Sequence, residues 1–324
     1  MRVFRDISTI HVSDIPESVV ALGTFDGMHL GHREILMRCV SRGRQDCIPS
    51  VAFTFQKHPV EVIRPQFAPL LLTDIEDKLA LIQGIGIDNT VIAQFDEEMA
   101  RATPEEFVRE ILVDSLRARH VIIGFNYTFG WKAQGNAESL RELGEKHGFR
   151  VEVAEPVLVD GAVVSSTRIR SHLGEGDMEG AQAMLGRPFS IKGRIIRGES
   201  RGKTLGYPTV NLDVSHGTAL PKCGVYATGI HVKGHMFKAV TNIGTRPTFA
   251  GKNVSVETHI IGFEGDLYGE TIRVFFIKRL RDEIRFPTSE ALACQISQDV
   301  KRAKELLNHW TRGNVAQGVS EDAS

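Results

Sequence analysis

The amino-acid sequence predicts an α/β protein in which a parallel β-sheet domain precedes a small antiparallel β-barrel with a C-terminal helix. As far as Gly186, short apolar runs alternate with segments of helical spacing, which is the pattern of a parallel sheet with crossover helices. After Pro188, short β-rich runs follow one another across glycine-bearing turns with no helix between them, as in a small barrel. The chain of 324 residues is long enough for two domains of this kind.

The elements of the first domain, residues 1–186, are predicted from periodicity and from helix start and stop signals. Val19–Leu22 is an apolar run typical of a buried strand, and the residues from Ile35 to Val40 have helical spacing. Thr103-Pro104-Glu105-Glu106 combines an N-cap, a first-turn proline and two acids, so it predicts a helix start. Further strands are predicted at Ser50–Phe55, Thr90–Ala93, His120–Gly124 and Arg150–Ala154, and further helices at Ile75–Ile85, Ala137–His147 and Met178–Leu185.

The second domain, residues 187–312, begins where Gly186-Arg187-Pro188 ends the preceding helix. A helix starting near Pro287 carries an apolar stripe at helical spacing, which we expect to pack against the barrel. Residues 313–324 are small and polar and are predicted to form a disordered tail. The predicted strands are Ile191–Ile196, Val225–Val232, Phe237–Ile243, Val254–Ile261 and Thr271–Ile277, and the stripe consists of Leu292, Ile296, Val300, Ala303 and Leu307.

Composition narrows the class of protein. Lys+Arg total 39 and Asp+Glu total 40, and this balance argues against a general nucleic-acid binder, which would carry a basic excess. The N-terminus lacks the apolar core of a signal peptide, and no apolar run approaches the ~18 residues of a membrane span. The four cysteines form no CxxC pair, so we expect free thiols in a reducing cytoplasm.

The segment from Gly23 to His32, GTFDGMHLGH, lies where the first buried strand turns into a helix. Free N–H groups and the helix dipole favour phosphate at such a point, and two histidines three residues apart add imidazole donors. Half of a metal site is one alternative, although no Cys/His partner pair stands out, and a pair of solvated histidines on a loop is another. The candidate phosphate-site residues are Gly23, Phe25, Asp26, His29, Gly31 and His32.

Polar side chains also follow two other predicted strands. Lys57 and His58 come after the second strand, and Asn126 comes after the strand that ends at Gly124. Because ligands of parallel sheets bind at the carboxyl ends of strands, we expect His29, His58 and Asn126 to converge on one edge. The aromatic residues near Asn126, including Phe125 and Phe129, either stack on a flat ring or pack in the core.

A second candidate phosphate site closes this half of the chain. Ser166, Thr167 and Arg168 place two hydroxyls and a cation at the predicted start of a short helix. An ordinary Ser/Thr N-cap is the alternative.

The stretch Arg197–Leu212, RGESRGKTLGYPTVNL, combines glycines, cations and a Pro-Thr-x-Asn tetrad. Thr209 and Asn211 share a face in an extended segment, and their oxygens suit Mg²⁺ that also holds substrate phosphates. The stretch is no P-loop, since only three residues separate the first two glycines and a proline follows. A glycine-rich surface turn is the alternative. The candidate phosphate contacts are Gly198, Arg201, Gly202, Lys203 and Gly206.

Glu257 lies on the predicted strand Val254–Ile261, on the same face as Ser255 and His259. A carboxylate there is suited to general-base chemistry if it lines a pocket, and otherwise it belongs to a solvated face.

These motifs together resemble the prokaryotic bifunctional riboflavin kinase/FMN adenylyltransferases, also called FAD synthetases, from about Val19 to about Leu307. GTFDGMHLGH is similar to that family's HxGH nucleotidyltransferase signature, SSTRIR to its second phosphate motif, and GKTLGYPTVN to its kinase signature. VTNIGTRPTF, VETHI and DLYG also match the kinase module. The resemblance implies a Rossmann-like nucleotidyltransferase sheet followed by the kinase barrel.

The resemblance implies two reactions. Riboflavin and ATP would give FMN and ADP in the barrel domain, with Mg²⁺ on Thr209 and Asn211 and with Glu257 as the catalytic base. FMN and ATP would give FAD and pyrophosphate in the sheet domain, where His29 and His32 stabilise the triphosphate. Asn126, Ser166, Thr167 and Arg168 would bind substrate there, and we expect flavin contacts from Phe55, His58, Phe125, Phe129 and Arg285.

The family's pattern is broken at two positions. Val163 stands where some members have an arginine two positions before the Ser-Ser-Thr run, so no cationic side chain is available at this position for a phosphate or flavin contact. Lys57 replaces a proline often found before His58-Pro59. We expect a cytoplasmic monomer or weak homo-oligomer with no nucleic-acid or membrane partner.

Three further hypotheses compete with two-step synthesis. One module is catalytic and the other is a regulatory platform, or the protein stores flavin without catalysis. In the third, the chain is an HxGH enzyme acting on RNA, against which the near-zero net charge and the absence of a KMSKS-like lysine pair count.

Overall fold

The computed structural model describes residues 1–197, 206–248 and 251–308, with the side chains at 246–248 and 251–253 left outside the description. By packing, this chain divides into two compact units, one up to Ser166 and one from Thr167 onward. Within the described ranges, no helix is both long and apolar enough to cross a bilayer. All four cysteines are free thiols.

The first unit, the sheet unit, is built on six parallel strands, as the alternating pattern predicts. The strands are β1 (Arg2–Phe4), β2 (Ser18–Leu22), β3 (Ser50–Phe55), β4 (Asn89–Ala93), β5 (Ala118–Gly124) and β6 (Arg150–Ala154). The helices are α1 (Leu30–Asp46), α2 (Pro59–Ile63), α3 (Ile75–Ile85), α4 (Glu97–Arg101), α5 (Pro104–Phe107) and α6 (Ala137–His147). A short antiparallel pair, β7 (Leu158–Val159) and β8 (Ala162–Val163), follows β6.

Strand order positions the candidate site of this unit. The order is β1-β4-β3-β2-β5-β6, so β2 lies in the middle with β3 on one side and β5 on the other. The chain builds outward from β2 through β3 and β4, and then returns to the other side of β2 with β5. This reversal is the topological switch point at which open α/β sheets bind ligands.

Strand β2 is apolar from Val19 to Leu22 because both of its faces are covered. Val20 and Leu22 belong to the core on one face of the sheet, whereas Val19 and Ala21 belong to the core on the other. All four side chains are at most 1% exposed. A strand buried on two faces has no polar alternation, so its sequence is a continuous apolar run.

The predicted helix from Thr103 to Leu116 begins as expected but changes type. The Thr103 hydroxyl and the Glu106 carboxylate form a reciprocal capping box, with Pro104 in the first turn. After α5 the helix continues as a π-helix over Val108–Ser115. The capping residues predict the start because their chemistry is local, whereas the π-type hydrogen bonding has no signal in the sequence.

The second unit, the barrel unit, closes six antiparallel strands in the order β10-β13-β12-β11-β14-β9, which confirms the predicted barrel. The strands are β9 (Phe189–Ile196), β10 (Val210–Asp213), β11 (Gly224–Val232), β12 (His235–Thr248), β13 (Gly251–Ile260) and β14 (Thr271–Arg281). The helices are α7 (Ser166–Glu175), α8 (Met178–Leu185) and α9 (Ser289–Leu306). Sequence reasoning did not predict β10 as a strand, because its run of four residues is short and follows closely on Pro208.

The last helix packs on the outside of the barrel, as its apolar stripe predicts. Val300, Ala303 and Leu307 form one buried cluster with Val225 and Val240 of the barrel wall. Residues of opposite parity point inward: Thr228, Thr241 and Thr258 are fully buried and hydrogen-bonded in a row, with Oγ1–Oγ1 distances of 2.8 and 2.9 Å. Alternation along each strand therefore separates an inner face from an outer face.

Helices α7 and α8 pack with the barrel. The Lys222 N–H donates to the carbonyl of Leu173 in α7 at 2.8 Å, and Lys278 pairs with Glu179 in α8 at 2.6 Å. The division by packing falls at the start of α7, twenty residues before the boundary expected at Gly186. That boundary, at residues 186 and 187, stays a prediction about domains.

Candidate active sites

His29 and His32 stand together at the start of α1, directly after β2. His29 is the N-cap, and its Nδ1 accepts the His32 backbone N–H at 3.3 Å. The two rings are stacked, with centroids 3.6 Å apart. Since α1 has 17 residues, its free N–H groups and dipole reinforce any donor that the imidazoles offer to a phosphate.

The loop that carries these histidines is fixed by backbone shape and by a buried ring. Phe25, Gly27 and Met28 all have positive φ, of 49°, 82° and 42°. The Phe25 side chain is fully buried, and its ring meets His32 edge-on at 5.4 Å. A Cβ at Gly23 would lie 2.7 Å from that ring, so only glycine leaves room for it. Gly23 and Phe25, predicted as ATP contacts, therefore also shape the histidine pair.

Asp26 connects this loop to two distant segments. Its buried carboxylate accepts the backbone N–H groups of Leu72 and Thr73 at 3.0 and 3.3 Å. Its main-chain carbonyl accepts the Ser166 hydroxyl at 2.8 Å. Ser166, the last residue of the sheet unit, is thus tied to the loop of the first motif. Thr167 and Arg168 are exposed in the first turn of α7.

Lys78 is a buried cation that sequence reasoning did not single out. Its ammonium donates to the carbonyls of Thr24 at 2.9 Å and Phe55 at 3.4 Å, just beyond β2 and at the end of β3. Burial lowers the pKa of Lys78 to about 8, although the nearby Asp26 charge opposes this shift. The sequence does hold a signal, because Ile75, Lys78, Ile82 and Ile85 have spacings of 3, 4 and 3 and so place a lysine in an apolar stripe.

A shallow cleft open to solvent lies beside these carbonyls. Its apolar wall is formed by Phe55, Leu71 and Ile75, and its polar wall includes Lys57 and His58. Such a mixture suits a ligand that is partly apolar and partly polar. His58 also caps α2, since its Nδ1 accepts the Val60 N–H at 3.3 Å.

Asn126 follows β5, the strand on the other side of β2. It is exposed, as is Phe125, at 47%. Phe129 is only 6% exposed and packs against Phe107 with centroids 5.4 Å apart, so its ring belongs to the core. His29, His58 and Asn126 therefore each follow the carboxyl end of one of three neighbouring parallel strands, and their role in one common site stays a prediction.

In the barrel unit, strand register aligns three polar side chains in a row. Asn211 of β10 pairs with Glu257 of β13, which in turn pairs with Asn242 of β12. Thr258, the neighbour of Glu257, points into the barrel, so alternation places this row on the outer face. Glu257 is half-buried between two asparagines and is not on an open solvated surface. Asn242, which lies in the VTNIGTRPTF run but was not predicted as a site residue, donates from Nδ2 to Glu283 Oε1 at 3.4 Å.

The residues expected to hold a metal fit a hard cation by their chemistry. Thr209 lies one residue before β10 and Asn211 is its second residue, and both side chains are half-buried. Among the residues that the structure describes, no group of three or more His, Cys, Asp or Glu forms a complete metal site. With one hydroxyl and one amide oxygen from this pair, most positions on a cation would be left to water and substrate phosphates, as is usual for Mg²⁺ at nucleotide sites.

Some of the remaining predicted ligand contacts lie within the described residues, and others do not. Gly206 has φ of 81°, which favours glycine, and Arg285 is exposed after β14. Gly31 follows the N-cap, where a Cβ would lie 3.2 Å from the His29 ring. Gly198, Arg201, Gly202 and Lys203 lie outside the described residues.

Comparison with known proteins identifies both units. The FAD synthetase family model matches residues 12–168, and the riboflavin kinase model matches residues 185–307. The bifunctional riboflavin kinase/FMN adenylyltransferase of Pseudomonas fluorescens is 37% identical, over 89% of this chain and 92% of its own length. The protein of the same name from Escherichia coli K12 is 33% identical, over 95% and 98%.

One solved structure is similar over almost the whole chain. A crystal structure described as a macrolide-efflux protein from Streptococcus pneumoniae has a TM-score of 0.84 and 29% identity, and the match covers 95% of this chain and 99% of that one.

A parallel sheet with an HxGH motif, joined to a closed barrel with a Thr-x-Asn segment, defines a two-domain ATP-dependent transferase of flavin nucleotides. The chain belongs to the bifunctional riboflavin kinase/FMN adenylyltransferase family. It is an enzyme with both activities, and the predicted resemblance is confirmed.

Proposed function

We propose that each of the two reactions of FMN and FAD synthesis is carried by one of the residue sets described above. The sheet unit adenylylates FMN with ATP and releases pyrophosphate, and the barrel unit phosphorylates riboflavin with ATP and releases ADP. The observation that carries this proposal is that polar residues gather at one edge of the sheet and, separately, on the outer face of the barrel.

In the sheet unit, His29 and His32 donate hydrogen bonds to the triphosphate as charge develops on it. The stacked pair at the N-terminus of α1 is held before substrate arrives, so little reorganisation is needed. Asn126 and the Ser166–Arg168 run bind substrate from the adjacent segments, while Phe55, His58 and Phe125 contact the flavin. Positioning and charge stabilisation account for the reaction without a covalent enzyme intermediate.

In the barrel unit, Glu257 takes the proton of the riboflavin 5′-hydroxyl. Its neighbours Asn211 and Asn242 flank it through the ladder, which fixes where the carboxylate stands. Thr209 and Asn211 hold a divalent cation, which we take to be Mg²⁺. That cation offsets the charge of the transferred phosphoryl group.

Riboflavin, FMN and ATP are the substrates that the family implies. We place the enzyme in the cytoplasm as a monomer or weak homo-oligomer, in keeping with its four free thiols. Its contacts at Val163 and Lys57 differ from the usual family pattern without removing the core of a motif.

A chromatographic time course with riboflavin, ATP and Mg²⁺ tests the proposal. We expect FMN to appear first and FAD to follow, with ADP and pyrophosphate as the other products. A parallel reaction with EDTA is the control for the cation. FMN that accumulates without FAD over long times would instead support a catalytic barrel with a regulatory sheet unit.

A further inference from the structure

His259 lies on β13 two residues beyond Glu257, so strand alternation places both on the outer face of the barrel. Its Nδ1 lies 2.9 Å from the carbonyl oxygen of Pro208. The Tyr207 ring meets the His259 ring in a T-shaped contact with centroids 5.4 Å apart. One imidazole thus touches both residues that precede Thr209.

The proton of this hydrogen bond must come from the imidazole. A carbonyl oxygen only accepts, so Nδ1 carries the hydrogen and donates it to Pro208. The Pro208 carbonyl belongs to the same planar peptide group as the Thr209 nitrogen. The hydrogen bond therefore fixes the orientation of the peptide group that joins Pro208 to Thr209.

The two residues of the Thr-x-Asn segment are held in different ways. Asn211 lies within the ladder, where it pairs with Glu257 on one side and Ile196 on the other. Thr209 precedes the first ladder residue, Val210, so no strand pairing sets its orientation. The ladder fixes only one of the two oxygens, and the other needs a separate support.

We propose that His259 is the positioning residue for the cation-holding pair: its bond to Pro208 sets Thr209 at the separation from Asn211 that a divalent cation needs. The inference rests on the proposed function, in which Thr209 and Asn211 hold the cation in the kinase reaction. Substitution of a residue that orients a metal ligand through a hydrogen bond commonly lowers metal affinity by 10- to 100-fold.

Two substitutions of His259 distinguish its hydrogen bond to Pro208 from its ring contact with Tyr207. His259→Phe keeps a ring for the Tyr207 contact but removes the Nδ1 donor. His259→Asn shortens the side chain but retains an N–H donor two bonds from Cβ, as Nδ1 is. His235→Phe, at an exposed histidine at the start of β12, is the matched control for a histidine-to-phenylalanine change on the barrel.

Mn²⁺ binding in the presence of ADP, measured by the electron paramagnetic resonance signal of free Mn²⁺, is the first readout. Asn211→Ala is titrated in parallel, so that the binding it retains is assigned to the sheet unit and subtracted. We expect His259→Phe to weaken the remaining binding about 10-fold, and His259→Asn and His235→Phe to stay within about 2-fold of wild type. The Mg²⁺ concentration for half-maximal FMN formation should move in the same order.

FAD formation from FMN, measured on the same preparations, is the internal folding control and should be equal in all variants. Unchanged Mn²⁺ binding in His259→Phe, or an equal loss in His259→Asn and His259→Phe, would overturn the inference alone. If Asn211→Ala binds Mn²⁺ as wild type does, or if wild type does not phosphorylate riboflavin, the proposed function of the barrel unit fails as well.

Discussion

The two units of this enzyme assemble their polar residues by opposite means. In the sheet unit, the candidate site residues stand on loops and helix starts beyond the ends of β2, β3 and β5. In the barrel unit, Asn211, Glu257 and Asn242 stand on the strands themselves, and cross-strand register aligns them. One site depends on connections between elements, and the other depends on a ladder of backbone hydrogen bonds.

This difference determines what each site needs for support. Loops beyond a sheet have no ladder of their own, so buried ties such as the Lys78 ammonium and the Asp26 carboxylate hold them. Residues within a strand need no such ties, because their neighbours are fixed every two residues. Among the barrel-unit site residues that the structure describes, Thr209 lies just outside the ladder and resembles the loop residues of the sheet unit in this respect.

The largest expected effect separates the two units by activity. His29→Ala should lower FAD formation ~10²–10³-fold, as loss of one transition-state donor does, and leave FMN formation intact. Rates of both reactions on one preparation are the measurement. Because His29 also caps α1, His29→Asn is the control: asparagine caps helices well but carries no imidazole, so it should be as inactive. Loss of both activities in a folded variant contradicts separate sites.

The converse substitution should spare the sheet unit. Asn211→Ala removes one cation ligand and is expected to lower FMN formation by about 10²-fold, since a metal supplies several kcal/mol of charge stabilisation in such reactions. FAD formation from added FMN should not change. Asp213→Ala, at an exposed position on the same strand, is the control and should retain both activities. A comparable loss in that control would mean that the strand, and not the amide, was damaged.

The buried tie of the sheet unit predicts a dependence on pH. Lys78 has a pKa of about 8 in the folded chain, below its usual 10.5, so folding disfavours its proton. This cost is fully present below pH 8 and disappears as pH rises toward 10.5, so the free energy of unfolding should rise with pH in between. We expect a rise of about 2 kcal/mol between pH 8 and 10 in wild type relative to Lys78→Met.

Urea unfolding of both proteins across this pH range is the measurement, and the difference between them cancels the titration of other groups. If the free energy of unfolding has the same pH dependence in wild type and in Lys78→Met, burial does not destabilise the protonated form of Lys78. In Lys78→Met, the rate of FAD formation should fall more than the rate of FMN formation. The carbonyls that Lys78 binds belong to segments that continue to His29 and His58.

The smallest expected effect comes from weakening a helix cap in the sheet unit, which should change stability without changing either activity. Thr103→Ala removes the hydroxyl half of the capping box and should lower the free energy of unfolding by about 1 kcal/mol. Both activities should remain at wild-type levels under conditions where the protein stays folded. Thr103→Ser, which retains the hydroxyl, should be close to wild type in the same urea titrations.

Local chemistry made most elements predictable. Val19–Leu22 is apolar because its strand is covered on both faces, and Thr103, Pro104 and Glu106 cap a helix within four residues. The stripe from Leu292 to Leu307 indicates which face of α9 meets the barrel. The strand β10 was missed because its four residues owe their conformation to the neighbours β9 and β13, and not to their own propensity.

The candidate sites were predictable where a motif marks them and unpredictable where a contact does. His29, His32, Thr209, Asn211 and Glu257 stand in recognisable local patterns. Asn242 and His259 lie in the kinase-like runs VTNIGTRPTF and VETHI, but the register of Asn242 with Glu257 and the contact of His259 with the Pro208 carbonyl are visible only in the structure. Lys78 lies between these cases, because a lysine in an apolar stripe is visible but its two carbonyl partners are not.

The sequence by itself determined the order of the two folds, the bounds of most strands and helices, and the residue types available for handling phosphate and cation. These depend on periodicity, capping and short motifs, which act over a few neighbouring residues. Only the tertiary structure decided which side chains meet: the strand order that puts β2 between β3 and β5, and the register that aligns Asn211, Glu257 and Asn242. Those meetings join residues tens of positions apart, and they are set by packing and backbone pairing, which no local pattern encodes.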